Sequence, residues 1–240
     1  MTMQVGMVGT DGVLIASDTL WMNTEDTQYA SVRHTSNTTK IEIDYRNGVG
    51  IACARNMELA GRIAKDLLNE FDAEDWGGPD TRAVDIANKV LEESSERRRD
   101  FQCTIVTAKP EPQLFQLHHG IFHLQKGARC QLHSRKVFAG DTVNSAVFWG
   151  ERFYSSWEES LQPIHNLIPL AAHIIFCAGK IGRGTIGGLE IAFCDSSGIH
   201  RLSEASIKEL EYATSGWDAH CGETILGHKQ QFTYAPHVIG

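Results

Sequence analysis

The sequence predicts an α+β chain arranged as a four-layer αββα sandwich, two antiparallel sheets packed face to face with a helix pair outside each. Three observations predict it. Strand-like and helix-like segments succeed one another in blocks: strands, two helices, strands, two helices, strands. The chain opens on two apolar-rich runs, residues 3–8 and 13–17, around Gly9-Thr10-Asp11-Gly12, and Asp-Gly between such runs is a strong hairpin signal. At 240 residues, 42% of them hydrophobic, the chain can bury one sizeable core.

The opening hairpin carries Thr2 at its free end and Asp18 just past its second strand, so the fold-back brings the two together. With Met1 removed, Thr2 exposes a hydroxyl nucleophile and an α-amine on one residue. An α-amine with a pKa of about 8 is partly neutral near physiological pH, so it can accept the hydroxyl's proton. A chain that keeps Met1 has an amide there and lacks this base. Taken alone, a Thr after the initiator Met is common and carries no chemistry.

Residues 23–39, rich in Thr, Ser and Asn, read as a long loop before a strand over 40–44 that Lys40 opens. A lysine pointing inward beside a carboxylate and an α-amine lowers the proton affinity of that amine; one at a strand end in solvent does nothing. Residues 48–54 form a further apolar strand. A helix follows over 57–71, with Leu59, Ile63, Leu67 and Leu68 at helical spacing and Arg62, Lys65 and Asp66 opposite. Trp76-Gly77-Gly78-Pro79-Asp80 is a turn, and Asp80 or Thr81 caps a second helix over 82–99. That helix buries Ala83, Ile86, Ala87, Val90 and Leu91, and Arg97-Arg98-Arg99 place cations at its C-terminal dipole.

Residues 101–108, 113–119, 122–124 and 136–139 read as strands. His118, His119, His123, Cys130 and His133 cluster there, but their spacing matches no zinc pattern, and alternation sends neighbouring strand residues to opposite faces. No metal or other cofactor is expected. Gly140-Asp141 then enters a helix over 143–157, and a fourth helix covers 163–177. Asp141 fits two roles, a helix N-cap or a carboxylate acting on the amine of Thr2. Gly182, Gly184 and Gly187 formally match a dinucleotide fingerprint, but a strand over 189–194 follows where that fingerprint needs a helix. Residues 199–202 close a last hairpin, and 204–214 suit a helix. The domain therefore runs over 1–214, with 215–240 a C-terminal extension of little periodicity, suited to wrapping a neighbouring subunit or to fraying.

A net charge of −8 argues against a nucleic-acid footprint. The N-terminus lacks the basic and apolar regions of a signal peptide, and no apolar run is long enough to span a bilayer. Six cysteines without C-x-x-C pairs suit a reduced, cytoplasmic protein with buried thiols.

A Thr, a short β-run, Asp-Gly, Val-Leu-Ile-Ala-Ser-Asp and then a Lys before another strand resembles the opening of a proteasome β-subunit. More closely it resembles the bacterial proteasome-like peptidases, Anbu and the proteobacterial proteasome homologue among them. The resemblance covers most of the chain to about residue 202 and implies the N-terminal nucleophile hydrolase fold. It implies Thr2 as nucleophile, with Asp18 and Lys40 tuning it. Arg55 stands where the family has a Gly whose backbone N–H holds the oxyanion, and its side chain there selects acidic groups, binds a carboxylate terminus or points to solvent. Asp141 stands where a Ser is usual beside the catalytic amine. The late Asp of the family is missing: Arg183 and either Thr185 or Ile186 occupy its region.

The function so implied is a threonine-type peptidase in a ring-shaped homo-oligomer, acting on unfolded or short peptides, with an ATPase partner left open. Two other readings stand beside it. One is a catalytically silent, proteasome-like structural subunit. The other is a small-molecule amidase on the same fold.

Overall fold

Side chains alternate strictly along the first hairpin, and that alternation sets the layers. In β1 (Met3–Val8) and β2 (Gly12–Ser17), Met3, Val5, Met7, Leu14 and Ala16 turn to one side, where helices cover them. Val13 and Ile15 turn to the other side, toward a second sheet. Gly6 lies on that inner face because nothing larger fits: a Cβ there would stand 2.7 Å from Leu114 Cδ1. The structure, a computed structural model, describes residues 2–26, 31–72, 75–77, 80–95, 99–120, 127–155, 161–182 and 185–229, with backbone alone over 21–35, at 77 and 80, and over 221–229.

The first sheet adds β10 (Lys136–Gly140) beside β1, and β11 (Glu190–Asp195) and β12 (Gly198–Arg201) beyond β2. The second runs in sequence order through β5 (Ile41–Asp44), β6 (Val49–Arg55), β7 (Phe101–Thr107), β8 (Gln113–His119) and β9 (Arg129–His133). Every pairing is antiparallel. Helices α1 (Met57–Glu70) and α2 (Asp80–Glu93) bury Leu59, Ile63, Leu67, Ala83 and Val90 on the second sheet. On the first sheet lie α3 (Val147–Phe153), α4 (Ile164–Gly182) and α5 (Glu204–Lys229). The chain is thus the predicted four-layer αββα sandwich, with a core under each helix layer and a third between the sheets.

The Asp-Gly turn anchors a helix as well as reversing the chain. Asp11 Oδ1 accepts the Ile164 N–H at 2.8 Å, meeting an otherwise unpaired donor at the start of α4. By length and composition α4 alone among the described helices reaches what a membrane crossing requires, because it runs five residues past the predicted end at 177. Here it is a core helix, with Leu167, Ala171, Ala172, Ile174, Ile175 and Ala178 buried against the first sheet.

Several elements differ from the sequence-based expectation. The polar stretch expected as a loop forms a separate hairpin, β3 (Leu20–Asp26) with β4 (Ser31–Asn37), whose backbone ladder needs no apolar face to form. Helix α2 ends at Glu93, so the basic triplet is not its last turn; Arg97 and Arg98 lie outside the described residues, and an Arg99 Nη2–H donates to the Ser94 carbonyl at 3.2 Å. The expected strand over 122–124 also lies outside them, and β9 takes the sheet edge. Helix α3 is half the predicted length, since residues 141–146 form turns before it. Helix α5 runs unbroken through the expected boundary at 214/215.

Candidate active site

Each predicted site residue lies at a strand end, and the topology gathers these ends at one edge of the inter-sheet layer. Thr2 precedes β1 and Asp18 follows β2, and the register pairing Gln4 with Ser17 sets Met3 opposite Asp18. Their backbones lock: the Met3 N–H donates to Asp18 Oδ1 at 2.9 Å, and the Asp18 N–H donates to the Met3 carbonyl at 3.1 Å. Lys40 enters from the facing sheet, just before β5. Its ammonium donates to Asp18 Oδ2 at 2.8 Å and to Thr2 Oγ1 at 3.3 Å. All three residues are buried, Asp18 completely.

A buried ion pair of this kind has little water to screen it. Burial pushes the Asp18 carboxyl above its ordinary value of 3.8, against the pull of the Lys40 ammonium and the Met3 N–H. The pair leaves one lysine hydrogen aimed at Thr2 Oγ1. A cation there stabilises negative charge developing on the hydroxyl oxygen and fixes its rotamer.

Lys40 is itself positioned by a residue that sequence reasoning missed. Glu190, at the start of β11, extends one carboxylate oxygen to the backbone N–H groups of Lys40 at 2.5 Å and Ile41 at 3.0 Å. Its second oxygen faces Arg201 Nη2 at 3.8 Å. Burial raises its pKa above the ordinary 4.5, opposed first by the Lys40 N–H. The one available signal was an acidic residue heading the apolar run Ile191-Ala192-Phe193-Cys194.

Gln102, on β7, is the second missed residue. Its Oε1 accepts the Gly140 N–H at 2.7 Å and the Arg55 Nε–H at 3.3 Å. Next along the chain, the Asp141 N–H donates to the Thr2 carbonyl at 2.7 Å. The Thr2 backbone is therefore fixed from the β10 side. Asp141 does not cap a helix, since α3 starts six residues later; its Oδ2 accepts from Asn144 Nδ2 at 3.3 Å.

Arg55 has φ +73°, the left-handed region that favours glycine. The backbone thus holds a glycine-type conformation under an arginine side chain, which is exposed and turned toward Gln102. The Cys53 N–H bonds the Lys40 carbonyl at 3.1 Å, so by strand alternation the Arg55 N–H lies on the same edge of β6, past the end of β5.

A cavity of about 460 Å³ opens beside Lys40. Thr38, Thr39, Cys53 and Met57 line it, with the carboxylate-bearing Glu42 and Glu58.

The late segment brings no carboxylate from its described residues. Thr185 Oγ1 is tied to the Gly182 carbonyl at 2.8 Å, Ile186 is buried in the helix-side core, and Arg183 lies outside the described residues. Gly187 and Gly188 lead into β11, a strand. Among the described residues the strand histidines do not gather with Cys130 into one metal-ligating group. Cys130 packs against the core under α1 and α2, whereas His118 shares the inner face with its cross-strand partner Gln102, and His123 lies outside the described residues.

No family model and no curated protein matches the sequence. Among solved structures the chain is similar to Anbu (ancestral beta-subunit) from Yersinia bercovieri, with a TM-score of 0.67 at 12% identity over 97% of this chain and 99% of that one. It is also similar to an Anbu mutant from Hyphomicrobium sp. strain MC1, with a TM-score of 0.63 at 13% identity over the whole of both chains. The chain has the proteasome-like fold of these Anbu structures.

Proposed function

We propose that the chain is an N-terminal threonine peptidase that hydrolyses unfolded or short peptides inside a ring of its own copies. The observation that carries the reading is Lys40 Nζ, held between Asp18 Oδ2 and Thr2 Oγ1. Once the bond before Thr2 is cut, its α-amine takes the hydroxyl proton through a water molecule, and Oγ1 attacks the peptide carbonyl. Lys40 stabilises the charge on Oγ1 as the proton leaves, and Asp18 keeps Lys40 aimed. The Arg55 N–H, at the edge of β6, receives the oxyanion. As the tetrahedral intermediate collapses, the α-amine returns its proton to the departing amine, leaving an ester on Oγ1. Water activated by the same amine then hydrolyses that ester. Asp141 acts through its backbone, holding the Thr2 carbonyl.

Glu42 and Glu58 in the cavity beside Lys40 favour a cationic side chain on the acyl side of the cut bond. The Anbu-like fold supports a ring assembly, and the five described cysteine side chains, none of them in a disulfide, suit a reducing cytoplasm.

Hydrolysis of unstructured fluorogenic peptides by protein starting at Thr2 tests the proposal. Cleavage after Lys or Arg, absent in Thr2→Ala, is expected. Turnover of small acyl amides alone would point to a small-molecule amidase. No turnover of either by such protein would leave a silent structural subunit, the reading that Thr185 and Ile186 favour by supplying no late carboxylate.

A further inference from the structure

Helices α4 and α5 meet on the outer layer, and the described side chains of α5 supply few apolar groups to hold it there: Ile207 and Leu210 are only partly buried, and Trp217 stays 44% exposed. At this junction three chemically distinct metal-ligating side chains converge. His173 and Cys177 are one helical turn apart on α4, both buried, and Asp218 reaches them from α5. Their ligand atoms all lie within 4.8 Å of one another.

The two separations from His173 fit a tetrahedral ion. Zinc bonds of about 2.3 Å to sulfur and about 2.0–2.2 Å to nitrogen or oxygen require ligand-to-ligand edges of roughly 3.4–3.6 Å. His173 Nε2 stands 3.5 Å from Cys177 Sγ and 3.7 Å from Asp218 Oδ1. The second oxygen of Asp218 is bonded to Lys180 Nζ, which orients the carboxylate and leaves Oδ1 turned to the histidine.

We propose that His173, Cys177 and Asp218 form a zinc site that clips α5 to α4, with water as the fourth ligand. Mixed sulfur, nitrogen and oxygen donors select zinc over the hard cations magnesium and calcium. A thiolate and a carboxylate together balance the ion's charge. The thiolate is the ligand form of Cys177, so zinc binding releases the thiol proton to solvent. The site lies on the helical layer, outside the two sheets that hold Thr2.

The test is cobalt titration of the full chain, stripped of metal with a chelator and kept reduced. One Co²⁺ per chain should bind, with tetrahedral visible bands and a sulfur-to-cobalt charge-transfer band. Zinc should displace it and change the tryptophan emission, since Trp149 and Trp217 lie 5.1 and 6.0 Å from the His173 ring. Cys177→Ser should abolish the charge-transfer band, whereas Cys130→Ser should keep it. Asp218→Asn, at a half-exposed position, should weaken binding by at least about tenfold with an unchanged circular dichroism spectrum. Absence of a saturable one-to-one signal, or a charge-transfer band that survives Cys177→Ser, would overturn the proposal.

Discussion

Gly140 and Thr2 approach so closely that a Cβ on Gly140 would stand 2.0 Å from the Thr2 carbonyl oxygen. Gly140 also has φ +81°, so both space and backbone conformation call for glycine. The contact sets the Thr2 carbonyl against the Asp141 N–H and constrains where the Thr2 backbone lies. Gly140→Ala should destabilise the fold by more than about 1 kcal/mol and abolish peptidase activity. Urea unfolding and a peptidase assay on the same preparation read both effects.

Asp18 and Lys40 form a pair buried on both sides, so removing one partner strands the other. Lys40→Met should cost about 3–5 kcal/mol. The double variant Asp18→Asn with Lys40→Met should recover much of that loss in stability but no activity. A double-mutant cycle by urea unfolding measures the coupling, and additive losses would argue against a direct pair.

Glu190 holds the N–H groups of Lys40 and Ile41, and its raised pKa gives a pH signature. The folded chain binds this proton more tightly than the unfolded chain does. Stability attributable to Glu190 is therefore full below its ordinary value of 4.5, falls as pH rises to its folded value, and is level above that. Asp18 adds a slope of the same sign, starting from 3.8. Glu190→Gln keeps an acceptor for both N–H groups and should flatten the Glu190 share of the slope. Glu190→Ala strands the two donors and should cost about 1–3 kcal/mol for each. Urea midpoints across mildly acidic pH distinguish the two variants.

Arg55 bears a Cβ in a left-handed conformation. Arg55→Gly removes that strain and Arg55→Ala keeps it, though both lose the guanidinium. The glycine variant should be the more stable of the two by about 1 kcal/mol, less the added freedom of its unfolded chain. Thermal melts of the pair decide this, and equal stability would mean that the turn relaxes.

The parts of the fold legible in the sequence are those with a one-sided apolar pattern: the β1–β2 hairpin, α1, and the buried face of α2. The β3–β4 hairpin carries Thr, Ser, Asn and His, so composition disguised it as a loop. Strand β9, Arg129–His133, is a mostly polar edge whose partner supplies the ladder. Over residues 211–220, α5 buries only Thr214, too little to show a stripe. In the site, Thr2, Asp18 and Lys40 could be read from the opening hairpin and the start of strand β5. Glu190 and Gln102 could not, because a polar residue in a strand declares its role only when a partner arrives from the other sheet. His173, Cys177 and Asp218 were hidden likewise, two on one helix and the third on another.

The central claim, that Thr2 Oγ1 is the nucleophile, is tested most directly by intact mass after treatment with a β-lactone electrophile. Protein beginning at Thr2 should gain a single adduct that maps to Thr2, is absent in Thr2→Ala and is strongly reduced in Lys40→Met. Protein beginning at Thr2 that gains no adduct, or gains one that persists in Thr2→Ala, would contradict it.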